Sequence, residues 1–242
     1  MSRDAACGVL VCVGLALSAP AVAQQPTDWP RESPPPPLPA REATFPPYEV
    51  RTLDNGLQVV VVMHHEQPAV NLRLMIAAGA ASDPEGRHGV AALTGQLLDQ
   101  GTSSRDATEI AESIDTIGGL LSVGAGTDLS FVNVLVMTDS FELGIDLVAD
   151  IARYPSFAPV EIERQRQQVL SGLQVSYEDP AYLAGVVFGR LVYGDHPYGI
   201  PHNGTPTSVL GITQDDLHAF HQTYYAPNNA QLGIVGDIDA EA

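Results

Sequence analysis

The chain has 242 residues, of which 45% are hydrophobic and 17% are charged. This composition is typical of a folded protein with a substantial core, and it excludes wholesale disorder. Acidic residues outnumber basic ones by 29 to 11, and the resulting net charge of −18 argues against nucleic-acid binding. Because all 11 basic residues are arginine, lysine Schiff-base chemistry and lysine-dependent phosphate loops are also excluded.

Residues 1–23 have the pattern of a secretory signal peptide. A short charged start precedes an apolar stretch of about 15 residues, which ends at the Ala-x-Ala sequence of residues 21–23. We therefore expect export, with cleavage near Ala23 and a periplasmic location. A membrane anchor is the alternative interpretation, but it needs about 20 apolar residues. Both cysteines, Cys7 and Cys12, fall in this segment, so the mature chain carries no disulfide and no thiol nucleophile.

Residues 24–47 are expected to form a proline-rich tether. Ten of the 28 residues from Pro20 to Pro47 are proline. Proline fixes φ and has no amide proton, so such a segment is extended and adds little to a core. The folded domain is therefore predicted to occupy residues 48–242.

The first half of this domain begins with strands. Residues 48–53 and 57–63 flank Asp54-Asn55-Gly56, a typical hairpin turn, and residues 69–78 alternate between apolar and polar positions. Helices are predicted over 89–100 and 107–117, the second ending at Gly118-Gly119. Two more strands are predicted over 120–125 and 129–137.

The second half is mostly helical. Apolar spacing predicts a helix from Phe141 to Ile151 with Asp139 as its cap, followed by helices over 159–175 and 180–193. Thr213 is expected to cap a helix that ends at Tyr224, and residues 230–235 form a closing strand. Paired strands that alternate with paired helices indicate an α+β fold, an antiparallel sheet covered by helices.

Seven short motifs share one order and spacing with a known family. They are Asp54-Asn55-Gly56-Leu57, Gly89-Val90-Ala91, Gly101-Thr102, Gly118-Gly119, His196-Pro197-Tyr198-Gly199, the segment Tyr224–Asn229 and Val235-Gly236-Asp237. With them the chain resembles the insulinase, pitrilysin and mitochondrial processing peptidase superfamily of zinc metallopeptidases. The resemblance covers residues 48–242 and implies the α+β roll of that superfamily, as one N-terminal domain without the usual second domain.

The resemblance also locates a zinc site whose residues have changed. Active members carry His-x-x-Glu-His after the Gly-Val-Ala sequence, because two imidazoles bind the ion and the glutamate is the base. Here the two histidine positions hold Ala92 and Gln96, and the base position holds Gly95. Gly172 occupies the position of the third ligand, and Gln165 that of a supporting acid. We therefore expect no catalytic residue, no zinc and no other cofactor.

Other sites have weaker support in the sequence. His218 and His221 are three residues apart on a predicted helix, a spacing compatible with weak metal capture, but no third ligand is evident. Support for a metal site is weaker still at the neighbouring pair His64-His65 and at the lone His88. For His196, in the His-Pro-Tyr-Gly turn, a structural hydrogen bond is the favoured interpretation.

The remaining functional candidate is an edge strand. In the family, the strand after Gly118-Gly119 docks an extended peptide through backbone hydrogen bonds, a mode that needs no catalytic side chain. The corresponding residues are Leu120, Leu121, Ser122, Val123, Gly124 and Ala125. A plain edge strand without a ligand is the alternative.

These observations predict an exported, non-catalytic homologue of a zinc metallopeptidase. Since the family pairs degenerate subunits with active ones, the expected partners are an active zinc peptidase subunit of the same family and extended peptides. Two alternatives stay open, namely an active metalloendopeptidase with displaced ligands and a structural subunit like those in a respiratory complex.

Overall fold

The computed structural model describes residues 45–241. The predicted signal peptide lies outside the described residues, as does the predicted tether except for residues 45–47. The first strand begins at Tyr48, where the sequence predicts that the folded domain starts. No helix among the described residues is long and apolar enough to cross a membrane.

Six strands and seven α-helices form the described chain. The strands are β1 (Tyr48–Thr52), β2 (Gln58–Met63), β3 (Ala69–Ile76), β4 (Leu120–Ala125), β5 (Ser130–Met137) and β6 (Ala230–Gly236). The helices are α1 (Val90–Leu97), α2 (Ala107–Thr116), α3 (Phe141–Arg153), α4 (Pro159–Ser176), α5 (Pro180–Tyr193), α6 (Pro206–Gly211) and α7 (Gln214–Tyr224). The predicted α+β fold is confirmed.

The strands form one sheet in the order β1-β2-β6-β3-β5-β4. Four of its pairs are antiparallel, as the sequence predicts, whereas β2 and β6 run parallel, so the sheet is mixed. The parallel pair arises because β6, the last strand in the chain, inserts between β2 and β3. This insertion leaves β1 and β4 at the two edges.

The core lies on one face of the sheet. Along β3, Val70 and Leu72 are fully buried beneath the helices, whereas Arg73 points to the opposite face and is exposed. Val132 and Val134 of β5 and Leu147 of α3 complete the centre of this layer, all with no exposed surface. Strand alternation therefore decides which side chains reach the core.

The turn between β1 and β2 confirms the predicted hairpin. Asn55 Oδ1 accepts a hydrogen bond from the amide of Leu57 at 3.1 Å, and Gly56 adopts φ 87°. A side chain at Gly56 would also meet Cβ of Asn228 at 2.9 Å, so both the turn and the packing require glycine.

The helix caps are only partly as predicted. Thr213 caps α7 in a reciprocal capping box with Asp216, as expected. Asp139 does not cap α3, because residues 138–140 form a short 3₁₀ turn and Ser140 takes the cap position. The short helix α6, which begins at Pro206 after its cap Thr205, was not predicted from the sequence.

Candidate functional site

Strand β4 is the edge of the sheet next to helix α1. Its register with β5 pairs Leu120 with Leu135 and Ala125 with Ser130. Among the described residues no strand pairs with its other side. The predicted peptide-docking segment, residues 120–125, thus coincides with a whole edge strand.

Three residues of β4 direct their backbone groups away from the sheet. The amide of Gly126 donates to the carbonyl of Leu129 at 2.8 Å, so residues 126 and 129 form a hydrogen-bonded pair. Since such pairs alternate along an antiparallel ladder, the N–H and C=O groups of Leu121, Val123 and Ala125 point outward. Within the described chain, no other backbone group bonds to them.

The side chains of β4 divide between the two faces of the sheet. Leu121 and Val123 pack against the main core, which holds the strand in place. Leu120 is 65% exposed and lies with Ser122 on the face that the helices do not cover. Strand β4 is therefore fixed by its core-facing side chains, while the N–H and C=O groups of its outer side point away from the sheet.

Helix α1 is held at its N-terminus by a carboxylate from the preceding loop. Asp83 accepts hydrogen bonds from the amides of Gly89, through Oδ2 at 2.5 Å, and Ala91, through Oδ1 at 2.9 Å. Burial raises the pKa of Asp83 to about 6, and these two bonds offset only part of that increase. Asp83 was not predicted from the sequence, because it lies seven residues before the first residue of the helix.

Gly95 brings helix α1 into direct contact with the backbone of β4. A Cβ atom at position 95 would lie 2.7 Å from the carbonyl carbon of Gly124 and 2.8 Å from the amide nitrogen of Ala125. Real Cβ atoms do not approach backbone atoms this closely. Any side chain at position 95 therefore requires the helix or the strand to move.

The other positions that differ from the family's zinc motif also hold residues that lack reactive groups. Ala92 is buried at 5% exposure. The carbonyl of Gln96 accepts a hydrogen bond from Nε2 of Gln165 on α4 at 3.3 Å. Gly172 is exposed, and a Cβ atom there would meet nothing within 4 Å.

The comparison with family models decides the assignment. The model of insulinase, peptidase family M16, matches residues 58–191, and that of the peptidase M16 inactive domain matches residues 211–242. The chain belongs to the M16 peptidase family. The M16 match includes α1, β4 and α4, the elements that carry the site.

Curated M16 relatives are longer than this chain. An uncharacterized zinc protease of Mycobacterium leprae is 31% identical over 188 residues, which are 78% of this chain and 42% of that protein. An uncharacterized zinc protease of Bacillus subtilis, YmxG, is 23% identical, and the match covers 77% of this chain and 46% of that protein. The chain thus spans less than half the length of these relatives.

Solved M16 structures have the same fold. A peptidase M16 inactive domain from Pseudomonas fluorescens has a TM-score of 0.78 and 29% identity, covering 81% of this chain and 48% of that one. The periplasmic protease PqqL from Escherichia coli has a TM-score of 0.73 at 21% identity, covering 84% of this chain and 23% of that one.

The residues at the M16 zinc positions do not fit a zinc ion. Zinc in proteins is bound by imidazole, thiolate or carboxylate groups, and Ala92, Gly95 and Gly172 provide none of them. Gln96 provides only an amide. Across residues 45–241, no cluster of three or more His, Cys, Asp or Glu side chains could hold a metal ion.

Three of the histidines singled out by sequence, His65, His196 and His221, make structural contacts. Nε2 of His221 donates to the carbonyl of Ala152 at 2.8 Å, and burial lowers the pKa of this histidine. Nδ1 of His196 accepts from the amide of Tyr198 at 3.2 Å, which is the structural role predicted for it. His65 lies 2.7 Å from a carboxylate oxygen of Asp237, at the end of β6.

Proposed function

We propose that this chain is a non-catalytic M16 module that binds an extended peptide along β4 and assists an active M16 peptidase. The observation that carries the proposal is the contact of Gly95 with Gly124 and Ala125 of β4, whose outer side pairs with no strand of the described chain. A peptide bound there would pass directly by the position at which active relatives hold their catalytic base.

Backbone hydrogen bonds would supply most of the binding. The outward groups of Leu121, Val123 and Ala125 offer three donors and three acceptors, the pattern that an added strand needs. Binding by strand addition recognises the backbone of the ligand more than its side chains. The charge of −18 favours basic peptides over acidic ones.

A bound peptide would not be cleaved by this chain alone. Gly95 has no group that could accept a proton from water, and neither Ala92 nor Gly172 could bind a metal. The relative from Pseudomonas fluorescens is described as an inactive domain, which supports the same interpretation. Cleavage would then need a second M16 chain with an intact zinc motif.

An exported location is part of this proposal. The pattern of residues 1–23 supports it. The Escherichia coli relative PqqL is described as a periplasmic protease, which is consistent with export of this fold. Mass spectrometry of the N-terminus of the protein recovered from cells would test this part by showing whether cleavage occurs near Ala23.

Hydrogen exchange resolved by residue tests the binding mode. The probe is a ten-residue peptide in which valine and arginine alternate. We expect the peptide to slow exchange at the amides of Leu121, Val123 and Ala125. The amides of Ser122 and Gly124 already bond to β5, so their exchange should change little.

A pair of proline substitutions completes this test. Val123→Pro removes an outward donor of β4 and should abolish protection. Val50→Pro is the matched control, because the bond from Met63 to Pro47 places the Val50 amide on the outer side of the opposite edge strand, β1. Equal loss of peptide binding in both folded variants, or protection of β1 instead of β4, would contradict the proposal.

A further inference from the structure

A second site lies away from β4, between the C-terminal half of α3 and the sheet. It is a surface-open cavity of about 580 Å³, within the range of roughly 300–1,000 Å³ that is typical of small-molecule sites. Val148 and Ala152 of α3 form one wall, and Leu74 and Leu232 of the sheet form the opposite one. We call this space the α3 cavity.

Most of the lining of the α3 cavity is apolar. Its lining also includes Leu57, Ile76, Ile145, Ala149, Ala226, Pro227 and Ala230. Among the lining residues, polar side chains come only from Asn55, Arg153, Tyr154 and Tyr225. Because so few groups could pair with amides, a peptide backbone bound inside would lose hydrogen bonds to water without replacement. A hydrocarbon chain carries no such cost.

One charged residue lines the cavity, and it is positive. Arg153 ends α3, and its guanidinium carbon lies 4.8 Å from the ring centre of Tyr154, another lining residue. None of the lining residues is acidic, although acidic residues outnumber basic ones by 29 to 11 in the chain. The one charged side chain of the cavity is therefore positive, although the protein as a whole is acidic.

Arg153 also differs from most arginines of the described chain. Six of the eight form an ion pair with a carboxylate: Arg51, Arg87, Arg105, Arg164, Arg166 and Arg190. Within residues 45–241, only Arg73 and Arg153 have no carboxylate within 4.0 Å, and both lie over an aromatic ring instead. The guanidinium of Arg153 can therefore bind an anion without breaking an internal ion pair.

We propose that the α3 cavity binds a fatty-acid-like carboxylate, with its hydrocarbon chain against Val148 and Leu232 and its carboxylate on Arg153. The apolar walls match the chain, and the single positive charge at the end of the helix matches the head group. The site is separate from β4, so it is independent of the peptide-binding proposal and can fail without affecting it.

Calorimetric titration of the full chain with decanoate tests this inference. We expect binding at one site, weakened at least tenfold by Arg153→Gln. The matched control is Arg73→Gln, which removes the other arginine without a carboxylate partner, on the far face of the sheet, and should leave affinity within twofold. Uncharged 1-decanol should bind the wild type and Arg153→Gln alike.

A second variant fills the cavity instead of changing its charge. Ala149→Phe places a ring at the α3 wall and should abolish binding of both decanoate and 1-decanol, while thermal unfolding checks that the variant is folded. The inference is overturned if decanoate does not bind, if the two arginine variants weaken it equally, or if a folded Ala149→Phe variant still binds it.

Discussion

Gly95 and Gly124 are in backbone contact across the interface between α1 and β4. A Cβ atom on Gly95 would lie 2.7 Å from the carbonyl carbon of Gly124. By the family resemblance, active members carry a glutamate at this position, whereas here it is glycine and backbone atoms of β4 occupy the space next to it. The helix and the strand now pack as structural elements.

Substitution of Gly95 should therefore reduce stability even by a single methyl group. Gly95→Ala is expected to lower the free energy of unfolding by about 2 kcal/mol, because backbone atoms of β4 cannot make room. Gly172→Ala is the matched control on α4, where no atom lies within 4 Å, and should raise stability by up to about 1 kcal/mol. Urea unfolding measures both, and equal effects of the two substitutions would contradict the packing described.

The carboxyl of Asp83 should give stability a characteristic pH dependence. Burial raises its pKa from 3.8 to about 6, so the folded state holds this proton more tightly than the unfolded state. Its contribution to stability is therefore complete below about 3.8, and it is lost as pH rises through 6. Between pH 7 and pH 4.5 the wild type should gain about 2 kcal/mol relative to Asp83→Asn.

Urea unfolding of both proteins at several pH values measures this difference. Glu85→Gln, which changes an exposed carboxylate of the same loop, is the control and should follow the wild type. A difference between wild type and Asp83→Asn that stays constant with pH would show that the carboxyl does not titrate in this window.

A buried carboxylate should matter far more than an exposed one bound to the same arginine. Asp150 is 8% exposed and accepts hydrogen bonds from Thr102, Ser104 and Arg105. Burial alone would raise its pKa, but these three partners lower it overall. Asp150→Asn should cost about 2–4 kcal/mol, since it leaves the guanidinium without its buried counterion.

Asp146 provides the comparison for this prediction. It also binds Arg105, at 2.5 Å, but its side chain is 57% exposed. Asp146→Asn should therefore cost less than about 1 kcal/mol. Thermal or urea unfolding of the two variants would refute this account if Asp146→Asn proved the more damaging.

The fold follows from sequence patterns wherever the signal is local. Alternation predicts β3, the Asn55-Gly56 turn predicts the first hairpin, and Thr213 predicts the start of α7. The parallel pairing of β2 with β6 is not local, because it joins Gln58 to Gln231 across most of the chain. No periodicity within either strand carries that information.

The candidate site was predictable in part for the same reason. The family motif locates Gly95 and residues 120–125, but it does not show that the helix closes onto the strand. That closure depends on backbone atoms of Gly124 and Ala125, which are remote in sequence. Asp83 and Arg153 have no motif around them, and the hydrogen bonds of Asp83 and the cavity beside Arg153 are visible only in the folded chain.

Association with an active M16 chain is a separate prediction of the proposed function. Light scattering coupled to size exclusion should show a complex when this chain is mixed with a family member that has an intact zinc motif. Cleavage of the valine–arginine peptide by that partner should change on mixing, and less so with Val123→Pro than with Val50→Pro. Separate elution with unchanged cleavage would refute the assisting role.

Zinc content and peptidase activity, measured together on the purified full chain, decide whether this chain is non-catalytic. We predict far less than a stoichiometric amount of zinc and no cleavage of the peptide, since Ala92, Gly95, Gln96 and Gly172 provide neither ligands nor a base. A family member with an intact motif, purified in parallel, is the positive control. Stoichiometric zinc in this chain, lost to a chelator together with peptide cleavage, would contradict the account.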